Sequence, residues 1–212
     1  MSKKIKFLNY VTAISLLGII VNETEDIMTK HPHLEEKISC SFGAIPTIKD
    51  YQETEKRYHQ DEIRKLFHEA YYCLPNKPDY FSEGLIKAIV HTESSFNNRA
   101  VGKNGERGLM QIMKDTWEDQ TLRLYGKKLP FSLAFNPKLN LEVGTSYLIW
   151  IHNFSKDKYP GWENLDKNEK RRILVASYNG GAPRLHKKGG DIYQMPKITQ
   201  KYIELIESRV DD

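Results

Sequence analysis

The amino-acid sequence predicts an all-α protein, and three observations predict it. Apolar residues recur at spacings of three and four in several separate segments, as helices with one buried face require. Prolines, glycines and Asn or Asp residues punctuate those segments where helices start and stop. No stretch carries the repeated short alternation of apolar and polar residues that marks a sheet protein. Periodicity gives about six or seven helices and no internal repeat. With 212 residues, 39% of them hydrophobic, the chain can bury one medium-sized core. The formal net charge of +4 is too mild and too evenly spread for a nucleic-acid partner.

Residues 1–21 read as an address label. Lys3, Lys4 and Lys6 precede the uncharged run Val11–Val21, a length that suits an export signal and is short for a membrane span. No small-x-small cleavage site follows, so the segment is expected as a signal peptide or as an uncleaved membrane anchor. Any membrane contact is expected through this segment alone. Residues 22–55, with Pro32, Gly43 and Pro46 and no sustained period, read as a linker or lead-in. The folded domain is expected over 56–212.

Cys40 and Cys73 could close a loop in an oxidising compartment, which chain entropy would make worth about 3 to 4 kcal/mol. Neither has metal-ligand spacing, and His31-Pro32-His33 lacks the i, i+4 spacing of a helical zinc pair. His91-x-Glu93 matches half of a zinc deaminase motif, but the Pro-Cys-x-x-Cys half is absent. No metal or organic cofactor is expected.

From Glu55 to Cys73, the residues Ile63, Leu66, Phe67, Ala70, Tyr71 and Leu74 predict a helix that stops at Pro75. A second helix begins near Phe81, with Leu85, Ile86, Ile89 and Val90 on one face. Glu93 lies four residues past Ile89 and three past Val90, so it projects from that apolar face. A carboxyl there is desolvated and stays protonated near neutral pH, as a general acid must. The loop Asn97–Arg107 has two glycines and three asparagines, and Gly108-Leu109-Met110-Gln111 is expected to open the next helix.

Asn136-Pro137 reads as a helix start, with Asn at the cap and Pro at the first turn. Leu141, Gly144, Leu148 and Ile151 form its buried stripe, and Gly144 suggests close helix packing. Trp150 and Trp162 read as core aromatics. Asp166-x-x-Glu169 is a capping box for a helix that delivers Tyr178-Asn179 before Gly180-Gly181 stops it. A final helix from about Lys197 carries Ile198, Tyr202, Leu205 and Ile206 in one stripe.

Four of these blocks carry a resemblance. Glu93-Ser94-x-Phe96, Ala100 and Gly105-x-x-Gly108-Leu109-Met110-Gln111-Ile112-Met113 resemble the first signature of the soluble lytic transglycosylases. Asn136-Pro137-x-x-Asn140-x-x-x-Gly144-x-x-Tyr147-Leu148 is similar to the second, Ala176-Ser177-Tyr178-Asn179-Gly180-Gly181 to the third, and Pro196 with Tyr202-Ile203 to the closing segment. The blocks run in the family's order over 78–210. The resemblance implies a lysozyme-like helical domain with one substrate cleft and a reaction on peptidoglycan glycan strands.

It also implies roles. Glu93 would be the catalytic acid and then base. Tyr178 would place its hydroxyl near Glu93 as the second catalytic residue. Ser94, Gly108, Met110, Gln111, Asn140, Asn179 and Tyr202 would bind substrate, Met110 as the floor of the groove and Gln111 as an amide contact. Together with the leader, the resemblance implies an exported protein of the periplasm or cell envelope.

Two positions depart from the family pattern. Gly102 stands where a serine is frequent, and Glu106 stands where a small residue is usual. Glu106 is either a solvated loop charge or a second acid. Two-carboxylate hydrolysis needs a partner for Glu93, and Glu106 is the one acidic residue that the four blocks offer beside it. The resemblance implies a reaction that uses one glutamate and closes the C6 hydroxyl onto C1 as a 1,6-anhydromuramoyl end. The alternatives are a goose-type lysozyme-like muramidase, or a non-catalytic glycan-binding or scaffold protein. An envelope secretion or conjugation assembly is the expected partner if the protein works inside one.

Overall fold

The computed structural model describes residues 46, 48–72, 74 and 77–210, all within one compact unit, Gly43–Asp212. The leader, His31 and His33, and both cysteines lie outside the described residues, and so do the expectations of an export signal and a disulfide. The described chain is all-α. Its helices are α1 (Ile48–Glu53), α2 (Gln60–Tyr72), α3 (Glu83–Ser94), α4 (Lys114–Tyr125), α5 (Pro137–Lys158), α6 (Lys167–Gly180), α7 (Ala182–His186) and α8 (Lys197–Val210). Three short 3-10 turns join them, at Phe131–Phe135, Trp162–Asn164 and Ile192–Gln194. Among the described residues the β contacts are two isolated antiparallel bridges, Val101 with Arg107 and Arg107 with Ile112. No described helix is long and apolar enough to cross a membrane.

Helix α5 is the central strut. It packs against α2, α4, α6 and α7, and Leu139, Leu141, Val143, Leu148 and Ile151 bury its apolar face. Asn136 caps it by accepting from the Leu139 amide at 3.1 Å. Gly144 is there for close approach, since a Cβ would stand 2.2 Å from Met110 Sδ. Asp166 and Glu169 form the expected capping box on α6, with both bonds at 2.8 Å. Ser82 caps α3 by accepting from the Leu85 amide at 3.0 Å, and α3 lies between α2 and α8.

Three expectations are corrected. Gly108-Leu109-Met110-Gln111 does not open a helix, because Gly108 (φ +77°) and Gln111 (φ +44°) are left-handed and a right-handed helix excludes that backbone. Reciprocal amide bonds between Arg107 and Ile112, at 3.0 and 3.1 Å, make the stretch a tight β-bridged turn instead, and α4 starts at Lys114. The lead-in also contributes a helix, α1, whose Asp50 carbonyl accepts from Asn136 Nδ2 at 3.2 Å. Finally, the buried face of α8 is Thr199, Tyr202, Ile203 and Ile206. Ile198 is 73% exposed and Leu205 40%. The helical phase differs from the apolar pattern because Thr199 turns inward to donate its hydroxyl to Asn179 Oδ1 at 2.9 Å.

Candidate active site

Glu93 sits in the last turn of α3, which ends immediately beyond it. Ser95 (φ +51°) and Phe96 (φ +62°) are both left-handed, and an unbranched helix cannot pass through two such residues. The Phe96 ring stacks back on His91 with centroids 5.3 Å apart. Together with Gln111, these are the only non-glycine residues of positive φ among those described. Such backbone costs about 1 kcal/mol or more at each position and collects where a site dictates the geometry.

The Glu93 carboxyl is partly buried, behind Ile86, Ile89 and Val90, which are fully buried. Tyr202 of α8 donates its hydroxyl to Glu93 Oε1 at 2.6 Å. Burial disfavours the ionised form and pushes the Glu93 carboxyl up to about 7, the Tyr202 bond pulls it down, and the charge of Glu106 adds to the rise. A carboxyl in that range can give a proton and take one back within one catalytic cycle near neutral pH.

Glu93 opens onto a cleft of about 330 Å³, shared with Glu106, Gln111, Tyr178 and Asn179. Gly102, Lys103, Asn104 and Met113 complete its lining. Lys103 and Asn104 carry no signal of their own in the sequence, and Met113 stands there only as the last residue of the first signature. Their place between Gly102 and the end of the turn is what brings them to the cleft.

Two tyrosines stand near Glu93 and make different hydrogen bonds. Tyr178 donates its hydroxyl to the Met110 carbonyl at 2.6 Å, and Tyr202, expected as a substrate contact, makes the bond to Glu93. Tyr178 still lines the cleft and tilts against Tyr147, 5.7 Å between centroids. Its buried phenol, near the Glu93 charge, is held well above the usual tyrosine range, so it stays protonated and fixes the turn.

Met110, expected as the groove floor, is fully buried against Gly144. Met113, 44% exposed, lines the cleft in its place. Asn140, expected to bind substrate, is fully buried. Its Oδ1 accepts from the Met110 amide at 2.8 Å, and its Nδ2 donates to the carbonyls of Arg107 and Ala134 at 3.0 and 2.8 Å. Gly108 is buried as well, and a Cβ there would stand 2.2 Å from the Ala134 carbonyl. Met110, Asn140 and Gly108 therefore shape the turn from behind. Ser94 donates to the Val90 carbonyl of its own helix at 3.1 Å and stands beside the lining residues.

Gln111 and Asn179 do face the cleft. The Gln111 Nε2 donates to the carbonyls of Gly108 and Ala100 at 2.9 and 3.2 Å, which fixes the amide. Asn179 is held through its Oδ1 by Thr199. Glu106 is gripped by Asn104, whose backbone amide donates to Oε2 at 2.9 Å and whose Nδ2 donates to Oε1 at 2.8 Å. Those bonds hold the Glu106 carboxyl below the ordinary range, so it is ionised at neutral pH. Among the described residues, no three His, Cys, Asp or Glu side chains converge into a metal-binding group.

The family model for the transglycosylase SLT domain matches residues 76–200. The chain is also 39% identical over 102 residues to a membrane-bound lytic murein transglycosylase C of Shigella sonnei (strain Ss046), and 38% identical over the same length to proteins of that name from Yersinia pestis (strain Pestoides F) and Yersinia pseudotuberculosis serotype O:1b (strain IP 31758). Each match takes in 47% of this chain and 27% of the relative, so the matched segment spans about a quarter of those proteins' length.

Proposed function

The chain belongs to the transglycosylase SLT domain family, and on that premise we propose that it is a peptidoglycan lytic transglycosylase with a lysozyme-like helical domain. The observation that carries the reading is the state of Glu93: a partly buried carboxyl at about 7, gripped by one phenol and open to the cleft.

In the proposed reaction, protonated Glu93 gives its proton to the oxygen that links N-acetylmuramic acid C1 to the next N-acetylglucosamine. As the C1–O bond breaks, the carbonyl oxygen of the C2 acetamido group stabilises the positive charge on C1. Glu93, now a carboxylate, takes the proton from the C6 hydroxyl of the same muramic acid. The O6 lone pair closes onto C1 and leaves a 1,6-anhydro end. Water is not consumed, and Glu93 finishes protonated for the next cycle. Tyr202 steadies the carboxylate formed midway, because a hydroxyl that donates to a charged oxygen is about twice as strong as a neutral bond. Gln111 and Asn179 would position the acetamido and hydroxyl groups of the strand.

The names of these relatives describe membrane-bound enzymes of murein. With the basic, then apolar, first 21 residues, they support a place in the cell envelope for this chain, on the periplasmic side. Murein strands would be the main partner, and an envelope secretion or conjugation assembly a setting for the activity.

The ionised Glu106 beside the same cleft supports a second reading, a goose-type lysozyme-like hydrolase in which Glu106 activates water. Mass spectrometry of the muropeptides released from purified peptidoglycan separates the two. A transglycosylase leaves muramoyl ends lighter by one water than those of a hydrolase. Anhydro ends are the expected product, and reducing ends in their place would establish the hydrolase.

A further inference from the structure

We propose that Glu106 is a positioning residue for the proton on Glu93: a fixed negative charge in the cleft wall, seated in the space that Gly102 leaves, which keeps the neighbouring acid protonated. The inference rests on the reaction proposed above.

The geometry begins with the backbone of 102–106. The Gly102 amide donates to the Glu106 carbonyl at 2.9 Å, and the Gly105 amide donates to the Gly102 carbonyl at 3.1 Å. Gly105, at φ +87°, makes the reversal that a side chain would strain. The turn folds the Glu106 side chain back over Gly102. A Cβ at 102 would lie 2.3 Å from Glu106 Oε2 and 2.8 Å from Gln111 Oε1. Any side chain at 102 would displace the carboxylate, so the missing side chain at 102 and the carboxylate at 106 form one arrangement. The two departures from the family pattern are thus physically coupled.

Asn104 then fixes the charge. It donates one hydrogen bond to each carboxylate oxygen, which favours the ionised form. The same bonds make Glu106 a weak base, since protonation would break them. That leaves it better suited to act through its field on Glu93 than to take a proton from water. The groups that face Glu93 are Tyr202 from α8, Tyr178 from α6, and Glu106 and Lys103 from this loop. Both tyrosines are neutral, since burial holds their phenols well above the usual range. His91 is exposed on the same helix, and Arg209 of α8 engages Thr92. Lys103 lies exposed on the same loop. Glu106 is thus the anion of the cleft, and it raises Glu93 further.

The test is the pH dependence of kcat/KM on purified peptidoglycan, measured with the full 212-residue chain. Removal of the charge in Glu106→Gln is expected to move the alkaline limb down by roughly half a pH unit, the order expected for a partly solvated like charge. Glu106→Asp, which keeps the charge, should retain most of the wild-type limb. Raised salt should move the wild-type limb in the same direction and leave that of Glu106→Gln in place, a comparison free of any effect of the substitution on folding. An alkaline limb that Glu106→Gln and salt both leave unmoved overturns the proposal. So does a wild type whose water-derived ends disappear in Glu106→Gln, because Glu106 would then be a base for water. A Glu93→Gln control that remains active overturns the underlying reaction, and the limb measurement distinguishes that failure from this one.

Discussion

Glu93 stands under opposed influences. The apolar face of α3 pushes its proton affinity up, and the hydroxyl of Tyr202 pulls it down. Tyr202→Phe removes the second influence alone. The free Glu93 then holds its proton to higher pH, so the alkaline limb of the rate profile should rise, opposite in sign to Glu106→Gln. The rate should fall about tenfold, because the carboxylate formed midway loses its charge-assisted donor. A pH–rate profile of Tyr202→Phe checks both. The position of Glu93 was legible from its spacing to Ile89 and Val90, since one helix fixes that face. Which tyrosine reaches it was not. Tyr178 and Tyr202 belong to different helices, and the distance from each hydroxyl to Glu93 depends on how α6 and α8 pack.

The turn at Gly108–Gln111 is the element that brings Gln111 to the cleft, and Asn140 holds it from behind. Asn140→Ala would leave the Met110 amide and the carbonyls of Arg107 and Ala134 without their partner, and would open a cavity besides. Buried polar groups left unpaired cost about 1–3 kcal/mol each, with partial relief by rearrangement. The expected loss is about 3 kcal/mol in urea unfolding, with a fall in kcat/KM as Gln111 loosens. Helix starts were legible because caps are local chemistry: Asn136-Pro137 and Asp166-x-x-Glu169 act within four residues. The turn was read as a helix start because its left-handed residues include Gln111, and no residue type announces a positive φ in a glutamine. Helix α1 escaped notice because six residues hold less than two turns of periodic signal.

Across the whole molecule, the parts serve to bring three other segments to the carboxyl of α3. Helix α3 supplies Glu93, the 97–113 loop supplies Glu106 and Gln111, α6 ends in Tyr178 and Asn179, and α8 returns Tyr202. Helix α5 holds them together through Gly144 and Asn140, both of which were visible in the sequence, though the role of Asn140 is structural. The family-like blocks were legible as an ordered set because each sits at one of these meeting points. The phase of α8 was not, since the inward turn of Thr199 depends on Asn179, twenty residues earlier.

In the proposed reaction, one proton on one side chain drives glycan cleavage. The most direct measurement is the release of soluble muropeptides from purified peptidoglycan at about pH 6, by the wild type and by Glu93→Gln. The substitution keeps the shape of the side chain and removes its proton, and it is expected to slow release by about a thousandfold or more. Release by Glu93→Gln within a few-fold of the wild type would contradict it.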